Sequence, residues 1–462
     1  MAKRRVGAKV KSVGAITPDL VIAKAKNHQI WNPASLLNIW MTVIATSSGG
    51  GDAESKDDQV SVREAFLFLG EMVSQITYGT KLAREESENA TAHEPALSWM
   101  SLFGNVGATT AAQTSTTGDI SKDVALNSPP EDSISDLAFS PVSNHLAVSS
   151  WDKKVRIYEI NDQGQSEGKA LFEHEAPVLN CCWSPDGTKV VGAGADKAAR
   201  LLDLGANATT PVQVAAHDAP IRCCEMISNP TNSSQPLLIT GSWDKKVKYW
   251  DLRQQTPIAQ VECQDRVYTM DVKNKLLVIG TADRYINIIN LDNPTNFYKT
   301  MQSPLKWQTR VVSCFADATG FAVGSIEGRC AIQYVEEKDS SSNFSFKCHR
   351  ETPPASRDVS NIYSVNAISF HPVHGTFSTA GSDGTYHFWD KDAKHRLKGY
   401  PAVGGTISST KFNRDGSIFA YAVSYDWSKG YTGNTQQTPN KVMLHPVIPE
   451  EVKPRPNARK TR

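Results

Sequence analysis

A short unit recurs along most of the C-terminal part of this 462-residue chain. Its clearest copies are SSWDKKVRIYEI at Ser149–Ile160 and GSWDKKVKYWDL at Gly241–Leu252, and each places an acidic turn before an alternating strand. The seven turn acids are Asp152, Asp196, Asp244, Asp283, Glu327, Asp383 and Asp426. They lie mostly about 39–48 residues apart, with one longer gap that contains an insertion, and this is the period of a propeller blade.

A further hairpin precedes each of these turns. In VLNCCWSPDGTKVVGAG two apolar runs are joined by Asp186-Gly187, and Asp415-Gly416 joins two runs in TKFNRDGSIFAYAV. Asp-Gly between alternating runs is a strong hairpin signal. Two hairpins per unit make a four-stranded blade. The repeat therefore predicts an all-β fold, a seven-bladed WD-repeat β-propeller with a non-propeller N-terminal extension.

The last blade is one strand short in the sequence. Lys122–Pro129, ahead of the first blade, could supply that strand and lock the N-terminal side onto the final blade, because a propeller has no free sheet edge only when it closes. The predicted blades span residues 131–160, 174–204, 217–252, 265–291, 310–335, 364–390 and 404–445. The predicted regions are a disordered or partly helical extension (1–99), a flexible segment (100–121), the propeller (122–448) and a basic disordered tail (449–462).

Composition restricts the possible functions. The formal net charge of +1 favours neither a general nucleic-acid binder nor an acidic tail, so any basic surface must be local. The longest apolar stretch, Leu36–Thr46, is too short to span a bilayer, which takes about 20 residues. None of the eight cysteines has CxxC metal spacing, and Cys348 beside His349 lacks a second ligand pair, so we expect buried, reduced thiols and neither metal nor cofactor.

One set of residues resembles a hydrolase triad, and it consists of His217, Asp244, Thr240 or Ser242, and Trp250. WD repeats use the same residue types in a buried hydrogen-bond network, because buried polar groups must be paired. His174 and Asp196 repeat part of the set in the second blade, as a structural network would and a catalytic triad would not. We therefore predict a structural network and no enzyme, with a propeller hydrolase as a minor alternative.

Two stretches combine basic and aromatic residues. FSFKCHR, Phe344–Arg350, is assigned to the insertion between the fifth and sixth blades, and FWDKDAKHRLKG covers Phe388–Gly399. Such interleaving suits phosphate backbones and stacked bases, or an acidic peptide. The alternative is that the charges belong to ordinary solvated loops.

From Met100 onward, the order of motifs resembles one family, the WD-repeat poly(A) RNA export factors of the nuclear pore. The motifs include MSLFG, SPPEDSISDLAFSP, GSWDKKVKYWD, SPLKWQTR, GFAVGSIEGR, FKCHR, FWDKDAKHRLK and FAYAVSYDWSKG. A related spindle-checkpoint propeller, an adaptor that binds checkpoint kinases, shares SIEGR with FKCHR and is the alternative. SLFG and SPPEDSIS favour the export factor.

The resemblance implies a non-enzymatic adaptor in mRNA export. Family members bind the GLEBS segment of an FG nucleoporin at the nuclear pore and nuclear envelope, also occur in the cytoplasm, and act in mitosis. Arg329 and Lys347 match the positions that meet glutamates of that segment. A neighbouring groove takes single-stranded nucleic acid, and its matching positions are Phe346, Trp389, Lys391 and Lys394, with Arg396 nearby. Lys394 stands where relatives often carry Arg, which keeps the charge but loses the planar fork.

The resemblance does not account for residues 1–99. Ser61–Arg84 has helical spacing of apolar residues, and SSGGGDAESKDD before it is typical of a linker. The segment is either a genuine addition or an upstream reading frame joined to a protein that begins at Met100. We favour the second interpretation.

Overall fold

The computed structural model describes residues 117–161, 163–229, 235–353 and 358–454. Its strands form seven four-stranded antiparallel sheets and one two-stranded hairpin. The seven-bladed all-β propeller is therefore confirmed. The predicted extension over residues 1–99 lies outside the described residues.

The blades follow one another in chain order. Blade one contains β2 (Ile134–Phe139), β3 (His145–Ser150), β4 (Lys154–Ile160) and β5 (Ser166–Glu173); blade two contains β6 (Val178–Trp183), β7 (Lys189–Gly194), β8 (Ala198–Asp203) and β9 (Val212–Ala216); blade three contains β10 (Ile221–Ser228), β11 (Pro236–Ser242), β12 (Lys246–Asp251) and β13 (Ala259–Glu262); blade four contains β14 (Val267–Lys273), β15 (Leu276–Thr281), β16 (Tyr285–Asn290) and β17 (Lys299–Gln302).

The second half of the ring continues the series. Blade five contains β18 (Thr309–Cys314), β19 (Gly320–Ser325), β20 (Arg329–Tyr334) and β21 (Phe344–Lys347), and a hairpin of β22 (Arg350–Glu351) and β23 (Asn361–Ile362) follows it. Blade six contains β24 (Val365–Phe370), β25 (Phe377–Gly381), β26 (Tyr386–Asp390) and β27 (His395–Gly399). Blade seven contains β28 (Ile407–Phe412), β29 (Ile418–Val423), β30 (Lys441–Pro446) and β1 (Val124–Ala125). The 3₁₀ turns are Glu337–Ser342 and Tyr431–Gly433, and the helix α1 is Pro449–Val452.

The fourth strand of each blade explains the gaps between the predicted blades. The predicted spans held only the first three strands, because the outer strands are largely exposed and lack a clear apolar alternation. β5, for example, has only two buried residues among its eight. One consequence concerns the basic-aromatic stretch at Phe344–Lys347. We assigned it to the insertion, but it is β21 and pairs with β20. The insertion proper begins only at the hairpin of β22 and β23.

Neighbouring blades are held together by apolar faces. Val247 and Tyr249 of β12 are fully buried and pack in one cluster with Val267, Leu277 and Ile289 of blade four. The alternation of the repeat directs these side chains to the same side of the strand. The same kind of cluster recurs around the ring, so each blade depends on the next for burial of its core.

The ring closes through the strand that precedes the first blade. Val124 of β1 pairs with Leu444 of β30, and Ala125 pairs with Met443, as the missing strand predicted. β1 thereby becomes the fourth, outermost strand of the last blade. A strand from before the first blade and the last strand of the chain are thus neighbours in one sheet.

A buried ionic cluster reinforces this closure. His445 Nδ1 lies 2.6 Å from Asp123 Oδ1, and its Nε2 lies 3.2 Å from Glu451 Oε2. The Tyr421 hydroxyl donates to Asp123 Oδ2 at 2.6 Å. Burial opposes the imidazolium, but the two carboxylates outweigh it and raise the pKa of His445 to about 9. One charged imidazole therefore ties together the segment before β1, the last strand and α1.

The segments that flank the propeller are packed where the structure describes them. Thr117 forms a parallel bridge with Gly399, so the end of the segment predicted to be flexible lies against blade six. Helix α1 falls in the predicted disordered tail, yet Val452 is buried and its carbonyl accepts a hydrogen bond from Thr376. Residues 455–462 lie outside the described residues. No helix in the described part of the chain is long and apolar enough to cross a membrane.

The ionic cluster predicts a dependence of stability on pH. The folded pKa of His445 lies above the ordinary value of about 6.5, so its stabilising contribution is complete below about pH 6.5 and is lost as pH rises to about 9. We expect the free energy of unfolding to fall by up to about 3 kcal/mol across this window. Denaturant titrations at pH 6.5 and 9 measure it. His445→Gln should be less stable at pH 6.5 and should lose most of this pH dependence; an equal loss in the variant contradicts the assignment.

Candidate peptide and nucleic-acid interface

The triad-like set in blade three forms one buried network. His217 Nδ1 lies 2.8 Å from Asp244 Oδ2, its Nε2 lies 2.7 Å from Thr240 Oγ1, and the Trp250 indole N–H donates to the same hydroxyl at 2.8 Å. Burial lowers the pKa of His217 against the opposing pull of Asp244. Each of these polar side chains is hydrogen-bonded to another member of the set, as is typical of a structural network.

Ser242, one of the two hydroxyl candidates for this network, does not bridge His217 and Trp250. It lies at the end of β11, where its hydroxyl donates to the Ala219 carbonyl at 3.1 Å and accepts the Asp244 N–H at 3.1 Å. Thr240 lies two residues deeper in the same strand, which places its hydroxyl beneath the imidazole. Of the two hydroxyls left open by the sequence, Thr240 is the bridging one, and Ser242 supports the turn.

Blade six contains a second complete network that the sequence analysis missed. His349 Nδ1 lies 2.9 Å from Asp383 Oδ1, His349 Nε2 lies 2.9 Å from Thr379 Oγ1, and the Trp389 indole donates to Thr379 at 2.9 Å. The signal was present, since a WD-type acid, a Trp and a preceding His all occur in this repeat. The His was overlooked because it lies in FKCHR, upstream of the insertion. Trp389 is therefore a structural residue as well as a candidate binding residue.

A possible metal-ligand set adjoins this network. Ligand atoms of His349, Asp383 and His387 all lie within 4.8 Å of one another. However, the hydroxyl of Thr385 lies between them, 3.3 Å from His349 Nδ1, 2.8 Å from Asp383 Oδ2 and 3.2 Å from His387 Nε2. The nitrogen and oxygen atoms of these three side chains surround the Thr385 hydroxyl and not a space for an ion. Their closeness is therefore explained by hydrogen bonds to Thr385.

Two candidate peptide-binding cations lie directly opposite each other in blade five. Arg329 begins β20, Lys347 ends β21, and the two residues are paired in register. Paired residues project from the same face of a sheet, and like charges at such positions are destabilising. Glu327 compensates only in part, with Arg329 Nε 3.7 Å from its Oε2. The arrangement favours an additional anion at this position.

Arg350 adds a third cation beside this pair. Its guanidinium donates to the carbonyls of Glu327 at 2.8 Å and Gly328 at 3.3 Å. Burial and the charge of Arg329 lower the pKa of Arg350. We call Arg329, Lys347 and Arg350 the cationic corner. It lies near the face of the propeller that carries the seven turn acids, because β20 starts immediately after one of those turns.

The candidate nucleic-acid residues line a groove between blades five and six. Phe346 of β21 and Trp389 of β26 have ring centroids 4.5 Å apart, and Phe344 continues the aromatic strip at 6.0 Å from Phe346. Lys394 Nζ lies 4.9 Å from the Phe344 ring centroid. Lys394 and the nearby Arg396 are both exposed. Half-buried rings bordered by exposed cations are the elements of a stacking platform.

Lys391 occupies a different environment from the one expected. Its side chain is only 9% exposed, and its ammonium lies over the Phe315 ring at 5.1 Å and 2.7 Å from Asp392 Oδ1. Burial opposes the charge, but Asp392 raises the pKa of Lys391 overall. The ammonium is already paired and shielded by aromatic rings, so Lys391 supports the groove from below and is not an exposed phosphate ligand.

Trp427 is a further surface residue that the sequence analysis did not single out. It adopts a φ of 60°, which is unusual for a bulky residue, and its ring stacks on Trp151 with centroids 3.9 Å apart. Blades one to four carry Lys or Arg at the equivalent turn position. A Trp in place of this basic residue is the sequence signal that could have identified Trp427. The stacked pair joins blades seven and one on the turn face.

The cysteine prediction is confirmed in its structural part. All eight cysteines are unpaired and buried. Burial raises the pKa of Cys223 to about 12 and of Cys263 to about 12, which leaves these thiols protonated. They behave as small apolar core residues.

Comparison with known proteins agrees with this architecture. The family model for the WD domain, G-beta repeat, matches residues 125–159, 166–203, 209–251 and 359–390. A solved structure, that of U3-55K, has a TM-score of 0.59 at 13% identity and covers 70% of this chain and 98% of its own, which supports the fold alone. Fold and repeats together define a WD-repeat β-propeller.

Closer relatives specify the family. The mRNA export factor GLE2 of Chaetomium thermophilum is 66% identical over 78% of this chain and 100% of its own length. The poly(A)+ RNA export protein of Schizosaccharomyces pombe is 58% identical over 77% and 99%, and protein Rae1 of Drosophila melanogaster is 45% identical over 72% and 96%. This chain belongs to the GLE2/Rae1 family of mRNA export factors. Membership supports an mRNA export role with nuclear or nuclear-pore association, and it points to a non-catalytic scaffold.

The blade-three network predicts unequal effects of two hydroxyl deletions. Thr240→Val should lower the free energy of unfolding by about 2 kcal/mol, because it leaves the buried His217 and Trp250 groups without their common partner. Ser242→Ala should cost about 1 kcal/mol, since it removes only the turn contacts. Urea denaturation compares the two. A larger loss of stability for Ser242→Ala than for Thr240→Val would contradict the assignment of Thr240 as the bridging hydroxyl.

Proposed function

We propose that this protein is a non-enzymatic nuclear-pore adaptor in mRNA export that binds the acidic GLEBS segment of an FG nucleoporin and also binds single-stranded RNA. The observation that carries the proposal is the in-register pair of Arg329 and Lys347. Two cations held directly opposite each other are unfavourable in the free protein, and a carboxylate placed between them removes the repulsion.

A peptide glutamate suits this position for geometric reasons. Arg329 lies at the start of β20 and is about one-third exposed, while Lys347 is exposed at the end of β21. The backbone of both residues is fixed by strand pairing, so binding has to order only the two side chains and not the segments that carry them. Arg350 extends the positive charge toward the β22–β23 hairpin. A peptide with neighbouring glutamates would meet complementary charge along this corner.

The groove beside the cationic corner fits single-stranded RNA. Phe346 and Trp389 offer aromatic surface for stacked bases, and Lys394 and Arg396 offer charge for phosphates. Lys394 lacks the planar fork of Arg, so its phosphate contact is a point-charge interaction rather than a bidentate one. In this proposal Lys391 contributes indirectly, by supporting the ring of Tyr334 and the floor of the groove.

The proposed location is the nuclear envelope at the pore complex, with a cytoplasmic population, and we include a role in mitosis. The alternative is a spindle-checkpoint adaptor that binds checkpoint kinases through a similar cationic corner. The relatives, which are named as RNA export proteins, favour export. Partner identification from interphase cells separates the two, because nucleoporins should dominate for an export adaptor and checkpoint kinases for its alternative.

The peptide site is tested by charge reversal. Arg329→Glu combined with Lys347→Glu should weaken binding of a GLEBS peptide at least about a hundredfold, since two attractive contacts become repulsive. Isothermal titration calorimetry measures the affinity. Lys275→Glu with Lys299→Glu is the matched control, because both lysines are exposed in blade four and carry the same total charge change. Equal binding by the wild type and the Arg329/Lys347 variant would rule out this site.

The RNA site requires variants that spare the blade-six network. Trp389→Ala removes the donor to Thr379, so a loss of RNA binding in that variant would not separate stacking from stability. Lys394→Glu with Arg396→Glu changes only exposed charges. We expect roughly tenfold weaker binding of single-stranded RNA at low salt and a shallower dependence on salt, because fewer phosphates are neutralised. Fluorescence anisotropy with an oligonucleotide tests this, and unchanged affinity at low salt would remove the groove from the proposal.

A further inference from the structure

Thr352 lies immediately after the cationic corner. It follows β22, two residues beyond Arg350, and it is exposed. Among the described residues, its hydroxyl has one marginal contact, with Ser360 Oγ at 3.5 Å. Pro353 follows it, and a residue before proline is biased toward an extended conformation. An exposed, extended threonine before proline is the acceptor geometry that a proline-directed protein kinase requires.

Seven other Ser-Pro and Thr-Pro positions lie in the described residues; Ser128, Thr210 and Thr256 are exposed, Thr438 is half-buried, and the other three are buried. Ser140, Ser184 and Ser303 are buried, so no kinase can reach their hydroxyls in the folded protein. Thr256 is exposed before Pro257, in the connection between β12 and β13 of blade three. Its nearest charged neighbour in sequence, Arg253, already forms an ion pair with Asp251. Thr256 is therefore an exposed Thr-Pro position outside the cationic corner, and it serves as an internal reference.

The charges around Thr352 favour a phosphate. In an extended chain, residues two apart project to the same side and their Cα atoms lie roughly 6–7 Å apart, so Thr352 and Arg350 share a side. The described carbonyl contacts of Arg350 use its Nε and Nη2 atoms, and its other guanidinium N–H groups take no part in these two contacts. Glu351 projects to the opposite side, where Tyr363 donates to its carboxylate. Glu327 is the acid paired with Arg329, with its Oε2 3.7 Å from Arg329 Nε.

We propose that Thr352 is a phosphorylation site and that its phosphate binds the cationic corner and blocks the acidic peptide. The Thr352 hydroxyl oxygen forms a bond to the γ-phosphorus of ATP, the bond from that phosphorus to the ADP oxygen breaks, and the hydroxyl proton passes to the kinase's catalytic base. The phosphate then accepts charge-assisted hydrogen bonds from Arg350 and Arg329. The blocking effect rests on the proposed peptide site, whereas the contact between phosphate and arginine does not.

The test uses the full chain phosphorylated in vitro by a proline-directed kinase with ATP, with sites located by mass spectrometry. In ³¹P NMR titrations, phosphothreonine 352 should have a second pKa below the usual value of about 6, while phosphothreonine 256 should keep that value. Arg350→Gln should return the pKa of phosphothreonine 352 toward the reference. Calorimetry with a GLEBS peptide should show binding weakened about tenfold or more by phosphorylation at Thr352, reproduced in direction by Thr352→Glu and absent in Thr256→Glu.

The possible outcomes separate a failure of the Thr352 phosphorylation proposal from a failure of the proposed peptide-binding function. If Thr256 is phosphorylated and Thr352 is not, Thr352 is not an accessible acceptor and the inference fails. If both are modified and their phosphates titrate alike, the cationic corner does not bind the phosphate and the inference fails. If the phosphate pKa is lowered but peptide affinity is unchanged, the blocking effect is wrong. If the unmodified protein does not bind the peptide, the proposed function fails, and the NMR comparison still decides the phosphate contact.

Discussion

The pairing of β1 with β30 is the interaction on which the rest of the structure depends. Every blade buries its apolar face against the next, so an open ring would expose one face and leave a free strand edge. Closure uses two residues of main-chain pairing, and the cluster of Asp123, His445 and Glu451 reinforces it from both ends of the repeat array. The groove requires blade five to pack against blade six, because Phe346 and Trp389 come from different blades.

The two His-Asp-Thr-Trp networks place one residue set in two settings, a blade core and the edge of a candidate binding groove. In blade three the network is buried and stabilises the repeat. In blade six the same arrangement fixes Trp389, whose ring packs against Phe346 on β21 and so builds the groove. A polar network that holds a surface aromatic in one orientation reduces the order that binding must supply. The aromatic floor of the groove is therefore fixed by a network that recurs in two blades of this chain rather than by a separate loop.

The repeat period and the Asp-Gly hairpins were enough to predict the propeller, and the shortfall of one strand in the last repeat predicted its closure. The outer strands were not predictable, because β5 and its equivalents are largely exposed and lack a clear apolar alternation. That omission placed Phe344–Lys347 in a loop instead of opposite β20. The pairing of Arg329 with Lys347 depends on strand register, and the burial of Lys391 depends on rings from blade five, so neither could be read from local sequence. Trp427 was visible only by comparing equivalent turn positions.

Binding of an acidic segment between two paired cations is the central claim for function. The most direct measurement is a structure of this protein with a GLEBS peptide bound. The account predicts a glutamate carboxylate within ion-pair distance of both Arg329 and Lys347. A bound peptide that places no carboxylate at these residues would contradict it.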